Sequence, residues 1–253
     1  MAISIRSGGD SDGPLVVLLH GLGATSRVWD GLTEAFDPAW GWIAPDLPGH
    51  GDSAPLGEPY SFGGLATAVA EILDPGRPIA VLGHSLGGVV GLELAGGDYG
   101  VAVTGVCGLG IKVRWTDAEL AKAAELADRP SRAYATRVEA VERALRVAGL
   151  TGLVDPDSPA ATSGVTESAD GWRLATDPGA FAVGRPDMRA LIATAQAPVV
   201  LAAGEHDPMS PAEHLRDLVA APVILPGLGH NAQVEAPAAL VPIVERIRNG
   251  PSR

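Results

Sequence analysis

Short apolar runs separated by turn residues set the rhythm of this chain. They fall at Leu15 to Leu19, Trp42 to Ala44, Ile79 to Leu82, Val101 to Val106 and Val199 to Ala202. Runs that are apolar at successive positions, without alternation, predict strands buried on both faces, which is the pattern of a parallel sheet covered by helices. A sixth run, Val223 to Leu225, ends just before GLGHN, and Ile3 to Arg6 predicts an antiparallel edge strand at the start. Between the runs, Leu65, Val69, Ile72 and Leu73 fall at helical spacing, as do Leu240, Ile243, Val244 and Ile247 near the end. Ser210-Pro211-Ala212-Glu213 predicts a helix start with Ser210 as cap. The expected fold is α/β, a mostly parallel central sheet flanked by helices.

The alternation breaks between residues 111 and 189. Thr116-Asp117-Ala118-Glu119 predicts a helix opened by a capping box, and Val138, Val141, Leu145 and Ala148 line one face of a second helix. A turn-rich stretch, LVDPDSPAATSG, and a shorter helical pattern ending near Ala195 follow. The expected organisation is a core domain formed by residues 1–110 and 190–253, with 111–189 inserted as a helical cap.

Composition narrows the class. A chain of 253 residues, 46% of them hydrophobic, can bury one large core, and 33 glycines with 21 prolines suit a fold rich in tight turns. The formal net charge of −12 opposes binding to nucleic acid or to anionic membrane surfaces. The opening MAISIRSGGD lacks the apolar core of a secretion signal, and no run of roughly 18 apolar residues offers a membrane span, so a cytoplasmic protein is expected. Cys107 is the one cysteine, which excludes an intrachain disulfide and a thiolate cluster, and its apolar setting predicts a buried, inert thiol.

The chemistry concentrates in a few loops. Gly83-His84-Ser85-Leu86-Gly87 matches G-x-S-x-G between an apolar strand and a helix-compatible run, the context in which such a serine is presented at a sharp turn. A serine hydroxyl needs a base to accept its proton, and the base needs a third group to orient it. His230, in GLGHN after the last strand, is the candidate base; Asp207, in GEHD after the strand at 199–202, is the candidate orienting acid. The chain order Ser85, Asp207, His230 is the one expected of this arrangement. Backbone amides supply the usual stabilisation of an oxyanion. Leu22, in His20-Gly21-Leu22-Gly23, and Leu86 are placed to provide them, with His20 ordering the loop.

Taken together, HGLG (20–23), DLPGHGDS (46–53), GHSLGG (83–88), GEHD (204–207) and GLGHN (227–231) resemble the α/β-hydrolase superfamily over nearly the whole chain outside the insertion. The resemblance implies Ser85 as nucleophile, His230 as general base and acid, Asp207 as its orienting carboxylate, and the Leu22 and Leu86 amides as oxyanion hole. It implies a cap or lid in the insertion and a structural loop role for His50. One departure stands out: about a dozen residues precede the first central strand, too few for the family's opening hairpin, so the sheet is expected to lack its first strand.

A serine at position 85 argues against the branches whose nucleophile is aspartate. The expected activity is hydrolysis of a carboxylic ester or lactone through an acyl-enzyme, without cofactor or metal. Thioester cleavage, C–C bond hydrolysis, cofactor-free haloperoxidation and non-catalytic ligand binding are the alternatives on this scaffold. The C–C reading requires a clamp for a substrate carboxylate, for which Lys112 and Arg114 are candidates. A small hydrophobic substrate is expected, with Trp115, Trp172, Val138, Val141 and Leu145 of the cap as its binding surface, unless that apolar stripe serves to dock the cap.

Overall fold

A computed structural model describes residues 2–10, 13, 15–57 and 59–249. Along the chain come β1 (Ile5–Gly8), β2 (Leu15–Leu19), β3 (Trp42–Pro45), β4 (Pro78–His84) and β5 (Ala102–Leu109). Inside the insertion lie β6 (Val165–Ser168) and β7 (Gly171–Leu174), and β8 (Val199–Gly204) and β9 (Val223–Leu225) follow it. Seven of these form one sheet in the order β1-β3-β2-β4-β5-β8-β9. All neighbours pair in parallel except β1, which runs antiparallel to β3. The edge strand lies two residues later than its sequence pattern suggests. A single strand precedes β2, and the described residues contain no opening hairpin.

Continuous apolar runs are explained by the two cores. Val16 and Leu18 of β2 join one buried cluster with Ala80, Leu82, Cys107 and Leu109, while Leu15, Val17 and Leu19 join the other with Ile79, Val81 and Val106. Each face of the sheet is therefore covered. The helices are α1 (Asp30–Glu34), α2 (Phe62–Ala70), α3 (Leu86–Ala95), α4 (Asp117–Ala127), α5 (Arg137–Val147), α6 (Pro159–Thr162), α7 (Met188–Thr194), α8 (Ala212–Arg216), α9 (Ala232–Glu235) and α10 (Val241–Asn249). The second cluster is closed by α2, α3, α7 and α8, and the first by α1, α5, α6, α9 and α10. The chain leaves β2 in one direction to form β3 and then returns to place β4 on the other side. Such a reversal opens a crevice at the carboxyl ends of the strands on either side of it, here β2 and β4.

The insertion departs from a purely helical cap. Glu119 and Thr116 do form the expected capping box at the start of α4. Between α6 and α7, however, β6 and β7 pair as a hairpin, with Ser168 opposite Gly171. The turn is Ala169-Asp170, and Gly171, at φ 129°, opens β7.

On α5, Ala140, Val141, Ala144 and Leu145 are buried in the core cluster, and Ala144 and Leu145 border a small cavity with Ala24 and Thr25 of the loop after β2, so this stripe docks the insertion onto the core. Val138, in the first turn of the helix, is 67% exposed and lies off that interface, contrary to its assignment by spacing. Ser210 does not cap α8: Pro211 takes the extended position before Ala212, and the Ser210 hydroxyl is buried without a partner.

The docking role of α5 has a measurable consequence. Leu145→Ala is expected to lower stability by about 2–4 kcal/mol in urea unfolding, through lost burial and a residual cavity. Val138→Ala is expected to stay within about 0.5 kcal/mol.

Candidate active site

The sharpest local feature is the turn between β4 and α3. Ser85 has φ 49° and ψ −112° and is the only non-glycine at positive φ among the described residues. Holding a side-chain-bearing residue there costs of order 1–3 kcal/mol. The surroundings fix it: the Ser85 N–H donates to the Leu109 carbonyl at 2.8 Å, and the Ser85 carbonyl accepts from Gly88 and Val89 in the first turn of α3. The flanking glycines are needed for space. A β-carbon at Gly83 would overlap the Gly87 carbonyl, and one at Gly87 would overlap the Leu19 carbonyl of β2.

Asp207 and His230 meet above the carboxyl ends of β8 and β9. Asp207 is 3% exposed. Its Oδ1 accepts the amides of Met209 at 2.8 Å and Ser210 at 3.2 Å, and its Oδ2 lies 2.9 Å from His230 Nδ1. The carboxylate has only acceptor positions to offer, so Nδ1 carries the ring proton and Nε2 keeps its lone pair. Ser85 and His230 line the same cavity.

His84 is a residue whose part sequence reasoning missed. Its Nε2 lies 2.9 Å from the His230 carbonyl, and the two rings stand 4.6 Å apart. Burial first, and then the neighbouring His230, hold its pKa well below the usual histidine range, so neutral His84 donates through Nε2 and anchors the His230 loop. It occupies a variable position of G-x-S-x-G, where a single sequence carries no signal for it.

The loop after β2 is tied down by His20, which donates from Nδ1 to the Gly21 carbonyl and accepts the Leu47 amide at Nε2, both at 2.8 Å. His50 packs edge-on against His20 at 5.1 Å, and Asp46 accepts the amides of Ser26 and Asp52. DLPGHGDS is thus a scaffold for the β2 loop. Leu22 and Leu86 both line the cavity, and their amides meet no acceptor among the described residues.

The cavity measures about 580 Å³ and is mostly apolar, with Leu22, Phe62, Val89, Trp115, Leu120 and Phe181 in its wall. Of the cap residues singled out by sequence, Trp115 is there. Trp172 is not: it lies on β7, exchanges backbone hydrogen bonds with Tyr134 and packs on the core cluster. Val141 and Leu145 are taken up by docking and Val138 by solvent, so none of the three reaches the cavity. Lys112 lines it but pairs with Glu119 and sits 4.8 Å over the Trp115 ring, while Arg114 pairs with Asp217 away from it. Among the described residues no cluster of three or more His, Cys, Asp or Glu is arranged to hold a metal. Cys107 is buried, and burial pushes its thiol up to about 12.

With that geometry in place, the chain can be assigned: it belongs to the alpha/beta hydrolase family, whose model matches residues 16–243. A pimeloyl-(acyl-carrier protein) methyl ester esterase of Neisseria meningitidis serogroup A is 46% identical over 80 residues, covering 32% of this chain and 25% of that protein. The matched segments span about a quarter to a third of the length of such relatives. Among solved structures, a thioesterase domain from the curacin biosynthetic pathway superposes with a TM-score of 0.76 at 18% identity, covering 96% of this chain and 95% of that one. A hydrolase from Pseudomonas aeruginosa superposes with a TM-score of 0.67 at 26% identity, covering 94% and 91%.

The buried histidines predict acid sensitivity. An unfolded histidine takes up a proton near pH 6.5, whereas burial holds His20 and His84 below that range and His50 down to about 3. Acidification from 6.5 toward 3 therefore protonates the unfolded chain first, so stability present above that window is lost as pH falls through it. Thermal midpoints should be nearly flat above about pH 7 and drop below it. His50→Gln should make the drop shallower, by up to about 1.4 kcal/mol per pH unit. An unaltered slope in that variant would show that His50 does not contribute.

Proposed function

We propose that this protein is a serine hydrolase that cleaves a carboxylic ester or lactone. The observation that carries the reading is a serine held at positive φ in the wall of an apolar cavity, with a histidine in the same wall oriented by a buried aspartate. Ser85 Oγ attacks the carbonyl carbon as His230 Nε2 takes its proton, and the developing oxyanion is received by the Leu22 and Leu86 amides. Collapse of the tetrahedral adduct expels the alcohol, which takes its proton from His230, and leaves an acyl-Ser85. Water then attacks, deprotonated by the same imidazole, and releases the acid.

Relatives named as methyl ester esterases support ester cleavage as the chemistry. Lys112 and Arg114, the clamp considered for C–C hydrolysis, already have carboxylate partners in Glu119 and Asp217. In this reading residues 111–189 act as a cap that shapes the acyl- or alcohol-binding space through Trp115 and Phe181.

Ser85→Ala should lower turnover of a simple aryl ester by roughly 10⁵-fold or more while the unfolding midpoint stays near that of the parent. Asp207→Asn should cost roughly 10³- to 10⁴-fold by leaving His230 in the wrong tautomer. A nearly silent Asp207→Asn would move the orienting role to another carboxylate.

The two tryptophans separate lining from docking. Trp115→Ala should change the ratio of kcat/KM between short and bulky esters, whereas Trp172→Ala should lower the melting temperature and leave the ranking in place. The opposite pattern would place the substrate along the β6–β7 hairpin.

A further inference from the structure

The basic residues of this acidic protein are unevenly placed. Residues 111–189 hold eleven of its eighteen Lys and Arg side chains, with twelve acidic ones, against seven basic and eighteen acidic in the rest of the chain. Several of the eleven are spoken for: Lys112 pairs with Glu119, Arg114 with Asp217, Lys122 and Arg129 with Glu125, and Arg173 with Asp170. Two others, Arg146 near the end of α5 and Arg185 just before α7, stand in the wall of the Ser85 cavity. Neither has a carboxylate oxygen within 4.0 Å among the described residues.

Each of the two also marks the place where the apolar cavity borders a charged groove. Arg146 is shared with a groove of about 660 Å³ that includes Tyr134, Glu142 and Arg143. Arg185 is shared with one of about 500 Å³ that includes Arg114, Arg189 and Asp217. A protein of net charge −12 repels anions at long range, and the two grooves also hold Glu139, Glu142, Asp187 and Asp217, so an anion would be held at the cavity wall by direct contact with these two guanidiniums. A guanidinium presents a planar fork of donors that matches a carboxylate, and an apolar surround strengthens that pairing.

We infer that the substrate carries a free carboxylate on the part of the molecule remote from the scissile bond, and that Arg146 and Arg185 receive it at the cavity wall. The inference deepens, and rests on, the reading of Ser85 as the nucleophile of an ester hydrolase. Its acyl body lies against Leu22, Val89 and Phe181, and its charged end stays at the arginines, where the cavity meets the charged grooves. Such a substrate is a half-ester of a dicarboxylic acid or a lactone with a pendant carboxylate.

The test uses two 4-nitrophenyl esters of equal chain length, one of a monocarboxylic acid and one the mono-ester of a dicarboxylic acid. Wild-type protein is expected to favour the carboxylated ester in kcat/KM, with the advantage shrinking as salt is added. Arg146→Gln, Arg185→Gln and the double variant should lower the ratio of the two kcat/KM values, in the double variant by roughly tenfold to a hundredfold and mainly through KM. Lysine at either position should restore part of it.

Calorimetric titration of Ser85→Ala with the same esters reads the site without turnover. Preferential binding of the carboxylated ester, lost when Arg146 and Arg185 are also replaced, supports the inference even if the wild type cleaves neither ester, a result that would sink the hydrolase reading alone. Equal binding of the two esters by Ser85→Ala, or equal losses on both in the arginine variants, would overturn it.

Discussion

One strained residue organises this molecule. For Ser85 to sit at positive φ, β4 must stop at His84, α3 must start at Leu86, and α3 must come so close to the backbones of β4 and β2 that only glycine fits at positions 83 and 87. The amide of Ser85 is tied to Leu109 at the end of β5, and His84 reaches the backbone of His230. A kink of one residue thereby touches three strands and the loop that carries the candidate base. The strain, of order 1–3 kcal/mol, is small beside the burial on both faces of the sheet, which is why the turn can persist. Its return is positional: the hydroxyl, the first turn of α3 and the β2 loop converge at one end of the sheet.

Around that kink, histidines do two different jobs. His20, His50 and His84 are buried, and burial keeps them neutral: His20 uses both ring nitrogens, on the Gly21 carbonyl and the Leu47 amide, while His50 and His84 each donate from one, to the Pro48 and His230 carbonyls. His230 keeps 19% of its side chain exposed and faces a carboxylate that already accepts two backbone amides. The contrast follows from solvation. An imidazole cut off from water holds a loop well and exchanges protons poorly, while one at the edge of a cavity, with its Nδ1 proton committed to Asp207, can accept a proton at Nε2.

Much of this was legible along the chain, and the failures share a cause. Unbroken apolar runs mark strands covered on both faces, and five loop motifs in order name Ser85, Asp207 and His230, because turn geometry and chemistry restrict residue choice locally. Periodicity could not say what each apolar stripe faces. Val141 and Leu145 obey the helical spacing that suggested a binding surface, yet both are buried in the core cluster, Leu145 beside Ala24 and Thr25, more than a hundred residues away. Val138 shares their spacing but lies in the first turn, past the interface. The hairpin at Val165–Leu174 was hidden because a four-residue strand with mixed burial has no alternation to detect. The significance of His84 depends on the His230 backbone, which no local pattern reveals.

The way the insertion is attached bears on what its length can disturb. β5 and β8 pair directly, Val106 to Val199 through Leu109 to Ala202, although almost ninety residues of chain separate the two strands. The sheet is therefore indifferent to what loops out between them, provided the ends return to adjacent positions. Asp207 takes its place from β8, and Ser85 from β4, so neither is anchored to the cap. The insertion is fixed to the core where α5 is buried beside Ala24 and Thr25. The strands that carry Ser85 and Asp207 thus keep their places whatever the length of the inserted segment, whereas the loop of His230 feels it through the bond from Asn231 to the Gly149 carbonyl.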